Sequence, residues 1–461
     1  MRWVRPITGA VLMSGVLLGC ASIQNAPVNL PGSDSLADKG NIGFGETTSY
    51  DDTIIGLSFS GGGTRAAAFS YGVLKEMERI PVRGAQSSMI DRVEFVSGVS
   101  GGSVTAAYYG LRKRAALADF RERFLLRNAE EGLQTDLTLA TLSRAVAGGI
   151  NDSTGFPRWL DANLFQGATF RDLGAASRPQ VWINASDIYN RTPFVFGSVA
   201  FGAMCSNLSE YPLANAVAAS AAVPVAFAPV VMQTFPGKCN DRLPPWIVRA
   251  RDNPNSPPML HSFAKAISRY HDGSMPYIKL LDGGLVDNYG LAGFTIARLS
   301  SDTPYGPISP RQAVRLRRAL ILVVDAKTGV SGNWINTVEG PSGADLVKAA
   351  ADTAIDASVA GSFTAFSATM TDWQGSLVRW RCGLSAADRA RYGAPANWNC
   401  RDVKFYVGRV GFDQLEPTRA AELERVPTRF QLPAEQVDSV IAAGGDALRA
   451  SPIFRSFAAG L

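Results

Sequence analysis

Histidine is almost missing from this chain: its 461 residues include two, His261 and His271. That scarcity argues against a metal centre built on imidazole ligands and leaves few bases for a serine–histidine–acid triad. Cysteine is also sparse, with five in all, and none falls at zinc-ligand spacing. No cofactor or metal is expected. A one-sided charge is lacking too: 45 basic against 40 acidic residues give a formal net charge of +5, and no dense Lys/Arg run occurs. A nucleic-acid partner is therefore not expected. No internal repeat is present. Nor is there a clean membrane span, because the longest apolar stretch, Leu213 to Met232, is broken by Asn215, Ser220, Pro224 and Pro229. It reads as a buried helix followed by a turn. What the chain does have is apolar material, 46% hydrophobic against 18% charged, enough for a sizeable core.

The N-terminus reads as a secretory signal. Arg2 and Arg5 precede a short apolar stretch, Ile7 to Leu18, which meets Gly19-Cys20. Leu17-Leu18-Gly19-Cys20 resembles a bacterial lipobox, which implies removal of residues 1–19 and acylation of Cys20. Ala21, rather than an aspartate, points to the outer membrane on its periplasmic side. Residues 20–50 are rich in Gly, Ser, Pro, Asn and Asp and read as a flexible tether. In an oxidising compartment the remaining four cysteines invite pairing, and proximity favours Cys205–Cys239 and Cys382–Cys400 among three connectivities. Free buried thiols are the plainer alternative.

Order begins at Thr53 with an apolar, β-like run that breaks at Ser60-Gly61-Gly62-Gly63-Thr64-Arg65 and resumes as an Ala-rich helical pattern. A second strand, Val93 to Val96, runs into Gly98-Val99-Ser100-Gly101-Gly102 and another helical stretch. Two strand–glycine turn–helix units indicate an α/β sheet with functional loops at strand ends. Further strands are expected at Val181–Ser186, Ile278–Leu281, Ala319–Val324 and Lys404–Val410, and a surface insertion at Pro236–Pro258.

Three strand ends carry chemistry. Gly98 to Gly102 satisfies G-x-S-x-G, the pattern of a serine on a sharp turn opening a helix; a plain turn is the simpler reading. The triple glycine lets several backbone N–H groups aim at one point, as an oxyanion hole requires. It lacks the G-K-[ST] ending of a phosphate loop. Arg65 behind it is a candidate anion contact or a structural brace. Leu280-Leu281-Asp282-Gly283-Gly284 places a carboxylate at a third strand end, where alone it would read as a turn cap.

In order, these blocks resemble those of patatin-like phospholipases. Ala219-Ser220-Ala221-Ala222-Val223-Pro224 is similar to a fourth family block, and Asp287-Asn288 to a frequent pattern after the aspartate. Ser60 departs from the acidic residue of plant members. The resemblance covers about residues 53 to 300. It implies a three-layer α/β/α fold with a central, mainly parallel sheet, a catalytic domain over 51–415 and a helical extension over 416–461. It also implies acyl-ester hydrolysis of a phospholipid or related lipid: Ser100 as nucleophile, Asp282 as base, the amides of Gly61, Gly62 and Gly63 as oxyanion hole, and no metal or cofactor. Two rivals remain: an α/β-hydrolase esterase using His261 or His271 in a triad, and an inactive lipid-binding envelope scaffold.

Overall fold

The apolar runs become the strands of a single sheet. The computed structural model describes residues 25–32, 52–82, 87–134, 144, 148–174, 178–240, 242–329, 333–336, 338–341 and 343–460. Cys20, the signal segment and most of the tether lie outside the described residues. Eight strands form the sheet: β1 Thr53–Phe59, β2 Val93–Val99, β3 Gln180–Asp187, β4 Thr192–Val195, β5 Val230–Gln233, β6 Tyr277–Asp282, β7 Arg318–Asp325 and β8 Lys404–Gly411. Their order is β5-β6-β3-β2-β1-β7-β8, with β4 paired to the upper part of β3. The five strands from β3 to β8 in that order run parallel, while β4, β5 and β6 are antiparallel to their neighbours.

Parallel strands covered on both faces should be largely apolar, and β1, β2 and β7 are buried almost end to end. Ile55, Leu57 and Phe59 enter one core with α1 Gly63–Arg79, α2 Gly101–Arg112, α3 Leu213–Ser220 and α4 Pro258–His271. Phe95, Trp182, Ile321 and Val323 face the other core, against α5 Ala292–Leu299 and the 40-residue α6 Gly343–Cys382. The architecture is the expected α/β/α sandwich, a mixed sheet with a parallel centre.

Some elements differ from the sequence reading. The Leu213–Met232 stretch does begin as a buried helix, but it ends in β5, which forms the sheet edge. The stretch taken as a surface insertion contains a helix, Pro245–Asp252, that buries Trp246 and Ile247. Residues 25–32 of the expected flexible tether are docked instead. Asn29 donates from Nδ2 to the Ser206 hydroxyl (3.0 Å) and the Gln233 carbonyl (2.8 Å) and accepts the Gln233 N–H (2.9 Å). Sulfur–sulfur bonds join Cys205 to Cys239 and Cys382 to Cys400. Among the described residues no helix is long and apolar enough to cross a membrane.

The C-terminal helix α7 Ala434–Ala450 belongs to the first core, burying Val437, Val440, Ala447 and Leu448. It crosses α1 so closely that a Cβ on Gly72 would stand 2.0 Å from the Ile441 carbonyl oxygen, and one on Gly444 2.2 Å from that of Phe69. Both obstacles are backbone, so neither helix can yield by turning a side chain. Gly72→Ala should therefore destabilise the full chain by about 1–3 kcal/mol in denaturant unfolding. An unchanged midpoint would show that the crossing is looser than described.

Candidate functional site

The sheet brings the three expected strand ends together. Phe59 pairs with Gly98, Val99 with Asn184, and Ala185 with Asp282, which sets the glycine loop, Ser100 and Asp282 at one level. Ser100 has φ 51° and ψ −123°, a backbone that a non-glycine residue holds only where its surroundings impose it, at a cost on the order of 1–3 kcal/mol. The surroundings here are backbone. A Cβ on Gly101 would lie 2.0 Å from the Gly63 carbonyl oxygen, so the nucleophile turn and the glycine loop touch main chain to main chain. Ser220 completes the turn: its hydroxyl accepts the Ser100 N–H (2.9 Å) and donates to the Asn184 carbonyl (2.6 Å). That gives the Ala219–Pro224 block a physical role that its sequence did not reveal.

Asp282 is buried, its carboxylate accepts the Gly284 N–H at 2.8 Å, and the Ser100 side chain lies beside it. Burial raises its pKa to about 6, and the Gly284 N–H and the neighbouring Ser100 side chain pull the other way without cancelling the rise. Below the site, polar side chains interrupt the apolar strands. Asn184 donates from Nδ2 to the Ser97 hydroxyl (2.8 Å) and the Gly98 carbonyl (2.9 Å). Ser97 donates onward to the Gly290 carbonyl (2.7 Å), and Ser58 donates to that of Tyr289. Three parallel strands thus grip the turn that follows Asp282. Asp287 holds the same turn from inside, accepting the Ala292 N–H at 2.6 Å. Tyr289 reaches across to the buried Asp325 (2.7 Å).

The glycine loop departs from expectation at two places. The Gly61 N–H already donates to Asn288, to its side-chain oxygen at 3.1 Å and its carbonyl at 3.3 Å, so it faces the aspartate turn rather than the serine. Gly62 and Gly63, both at positive φ, open α1, where first-turn N–H groups have no intrahelical acceptor. Arg65 is not an anion contact. It is 2% exposed, and its guanidinium donates to the Ala326 carbonyl (2.9 Å), the Val426 carbonyl and the Thr428 hydroxyl (2.9 Å). Nothing in its local sequence could disclose partners 361 and 363 positions away.

Neither histidine joins this group. His261 sits in α4 with Nδ1 on the Ala250 carbonyl (2.9 Å), and His271 closes the same helix. No cluster of three or more His, Cys, Asp or Glu able to hold a metal occurs among the described residues. A small apolar hollow lined by Phe156, Ala218, Ala222, Phe227 and Val230 adjoins the site; the Ala222 carbonyl accepts the Asp282 N–H at 2.8 Å.

Comparison with known proteins points to one family. The patatin-like phospholipase family profile matches residues 57–295. No curated protein sequence matches. Among solved structures, the human GIVD cytosolic phospholipase A2 is similar over 88% of this chain and 63% of its own, at 12% identity and TM-score 0.43. VipD from Legionella pneumophila is similar over 89% and 68%, at 12% identity and TM-score 0.31. This chain thus spans about 63% of the length of the human protein. The family match runs from the first strand through the nucleophile turn to the helix after Asp282, and on it the chain belongs to the patatin-like phospholipases.

Proposed function

We propose that the protein hydrolyses acyl esters of membrane lipids with Ser100 as nucleophile and Asp282 as its base. The observation that carries the reading is the placement of a buried carboxylate of raised pKa, Asp282, beside a serine held on a strained turn. Asp282 takes the hydroxyl proton as Ser100 attacks the ester carbonyl, and returns it to the departing alcohol; water then cleaves the acyl-enzyme by the same steps. A carboxylate is a weak base for an alcohol. Burial strengthens it by raising its pKa, and the N–H groups of Gly62 and Gly63 stabilise the oxyanion that forms. Removing one such donor typically costs about 2.7–4 kcal/mol of barrier.

The same reading places the chain at the envelope of a bacterium, held to its membrane through Cys20 after removal of residues 1–19. Intact-mass analysis of the protein from membranes should find a first residue of Cys20 bearing a diacylglyceryl group. Cleavage elsewhere without lipid would remove the anchor from the account.

Two further outcomes are expected. With a chromogenic short-chain ester, Ser100→Ala should abolish turnover and Asp282→Asn should lower it by at least about 10²-fold, the scale of a positioned general base. His261→Ala combined with His271→Ala should keep most of it. An active Asp282→Asn beside an inactive, folded histidine-free protein would favour the triad instead. The pH profile has a definite sign. Asp282 works as the charged base, so kcat/KM should rise with pH through about 6 and level off above. A profile flat down to pH 4, or one that falls as pH rises through 6, would contradict the assignment.

A further inference from the structure

We infer that the end of the sheet bearing Ser100 is a bilayer-facing surface, and that residues 25–32 strap the chain onto it so that the site opens toward the membrane holding the N-terminus. This rests on the anchor and acyl-hydrolase readings above. Because β6 runs antiparallel to β3, it continues past the level of Ser100 in the direction the site faces: Asp282 is level with Ala185, Leu280 with Asp187, and Tyr277 with Gln233 of β5. Gln233 therefore lies five residues beyond Asp282, about 17 Å at about 3.3 Å per residue. Asn29 grips Gln233 through both backbone groups, and around it the Gly32 N–H meets the Cys205 carbonyl and the Ser206 hydroxyl meets the Leu30 carbonyl, each at 3.0 Å. The chain from Cys20 to Asn29 covers nine residues, a reach of at most about 30 Å. An anchor on Cys20 thus cannot let the opposite end of a domain this size settle on the bilayer while the strap stays docked.

The chemistry of that end fits a headgroup boundary. Along one row, from the strap through β5 and β6 to the β3–β4 turn, stand Leu30 (58% exposed), Tyr277 (50%) and Tyr189 (69%). Val28 and Ile188 add aliphatic surface, and Ile188 is tied to the row by its N–H on the Lys279 carbonyl (3.2 Å). Cations accompany the rings: the Lys279 ammonium lies 5.4 Å from the Tyr277 ring and the Arg269 guanidinium 5.8 Å from that of Tyr189. Arg191 and Lys238 are exposed nearby, against the exposed Asp272. Tyrosine rings with adjacent basic side chains are what the interface between acyl chains and anionic headgroups favours.

The test uses the full lipid-anchored chain in vesicles of phosphatidylethanolamine and phosphatidylglycerol carrying nitroxide-labelled acyl chains. A fluorophore is attached at Tyr189→Cys or, as control, at Ala387→Cys. Ala387 is exposed in the helix Ala386–Tyr392, near the N-terminal ends of β7 and β8 and so at the far end of the sheet. The fluorophore at 189 should be quenched at least twofold more than that at 387. Equal quenching, stronger quenching at 387, or failure of the protein to float with the vesicles overturns the proposal. Adding Asn29→Ala should bring the two probes toward equality while the unfolding midpoint shows a retained fold; an unchanged ratio removes the strap from the proposal. If Asn29→Ala does not fold, the two-probe comparison decides alone. Ester hydrolysis measured in the same preparation separates the two readings: quenching confined to 189 without hydrolysis keeps the surface and discards the proposed chemistry.

Discussion

A carboxylate buried beside a serine hydroxyl is the constraint around which this structure is arranged. An aspartate removed from water favours its neutral form unless hydrogen bonds restore what the solvent gave, and Asp282 has the Gly284 N–H with the Ser100 side chain beside it. Both depend on the turn from Gly283 to Gly290 staying in one place. That explains why so much polarity is invested beneath it. Ser58, Ser97 and Asn184 interrupt strands that are otherwise apolar, and the two serines spend their hydroxyls on the carbonyls of that turn. An apolar residue at any of these positions would pack as well but would leave carbonyls buried without donors.

The same constraint connects the glycine loop to the aspartate. Asn288 takes the Gly61 N–H, so the loop beside Ser100 is indexed to the turn that follows Asp282. Ser220 performs the matching service for the nucleophile turn from the third core helix. Ser100, Asp282 and the Gly62–Gly63 amides are thus fixed relative to one another by main-chain contacts and short polar side chains, which have few rotamers to lose. Preorganisation of that kind is what stabilising a transient oxyanion demands.

How much of this was legible in the sequence depended on how local the cause was. The strand-end glycines were readable because the steric demand they answer lies within a few residues. β1, β2, β3, β6, β7 and β8 were readable from runs dominated by apolar residues. β4 and β5 span four residues each, too short to establish a period, and they exist because β3 and β6 offer open edges. The docking of Asn29 could not be seen, since its composition is that of a tether and its partners are 177 and 204 residues away. Arg65 was left open between anion contact and structural brace for the same reason, and its burial among carbonyls settles it as a brace. A charged residue after a glycine loop looks like a ligand contact until the carbonyls that surround it are known, and they come from the far end of the chain.

That last connection bears on when the protein acquires its function as it is made. Arg65 and Thr64 close the glycine loop against Val426, Thr428 and Arg429, and α7 follows directly. Ser100, Asp282 and the whole parallel centre of the sheet are synthesised earlier. A nascent chain that has not yet extended past residue 429 has Ser100 and Asp282 but not the carbonyls that seat the loop beside them. Seating of the glycine loop thereby waits for partners 361 and 363 positions after Arg65, so a shorter translation product would carry Ser100 and Asp282 without that frame.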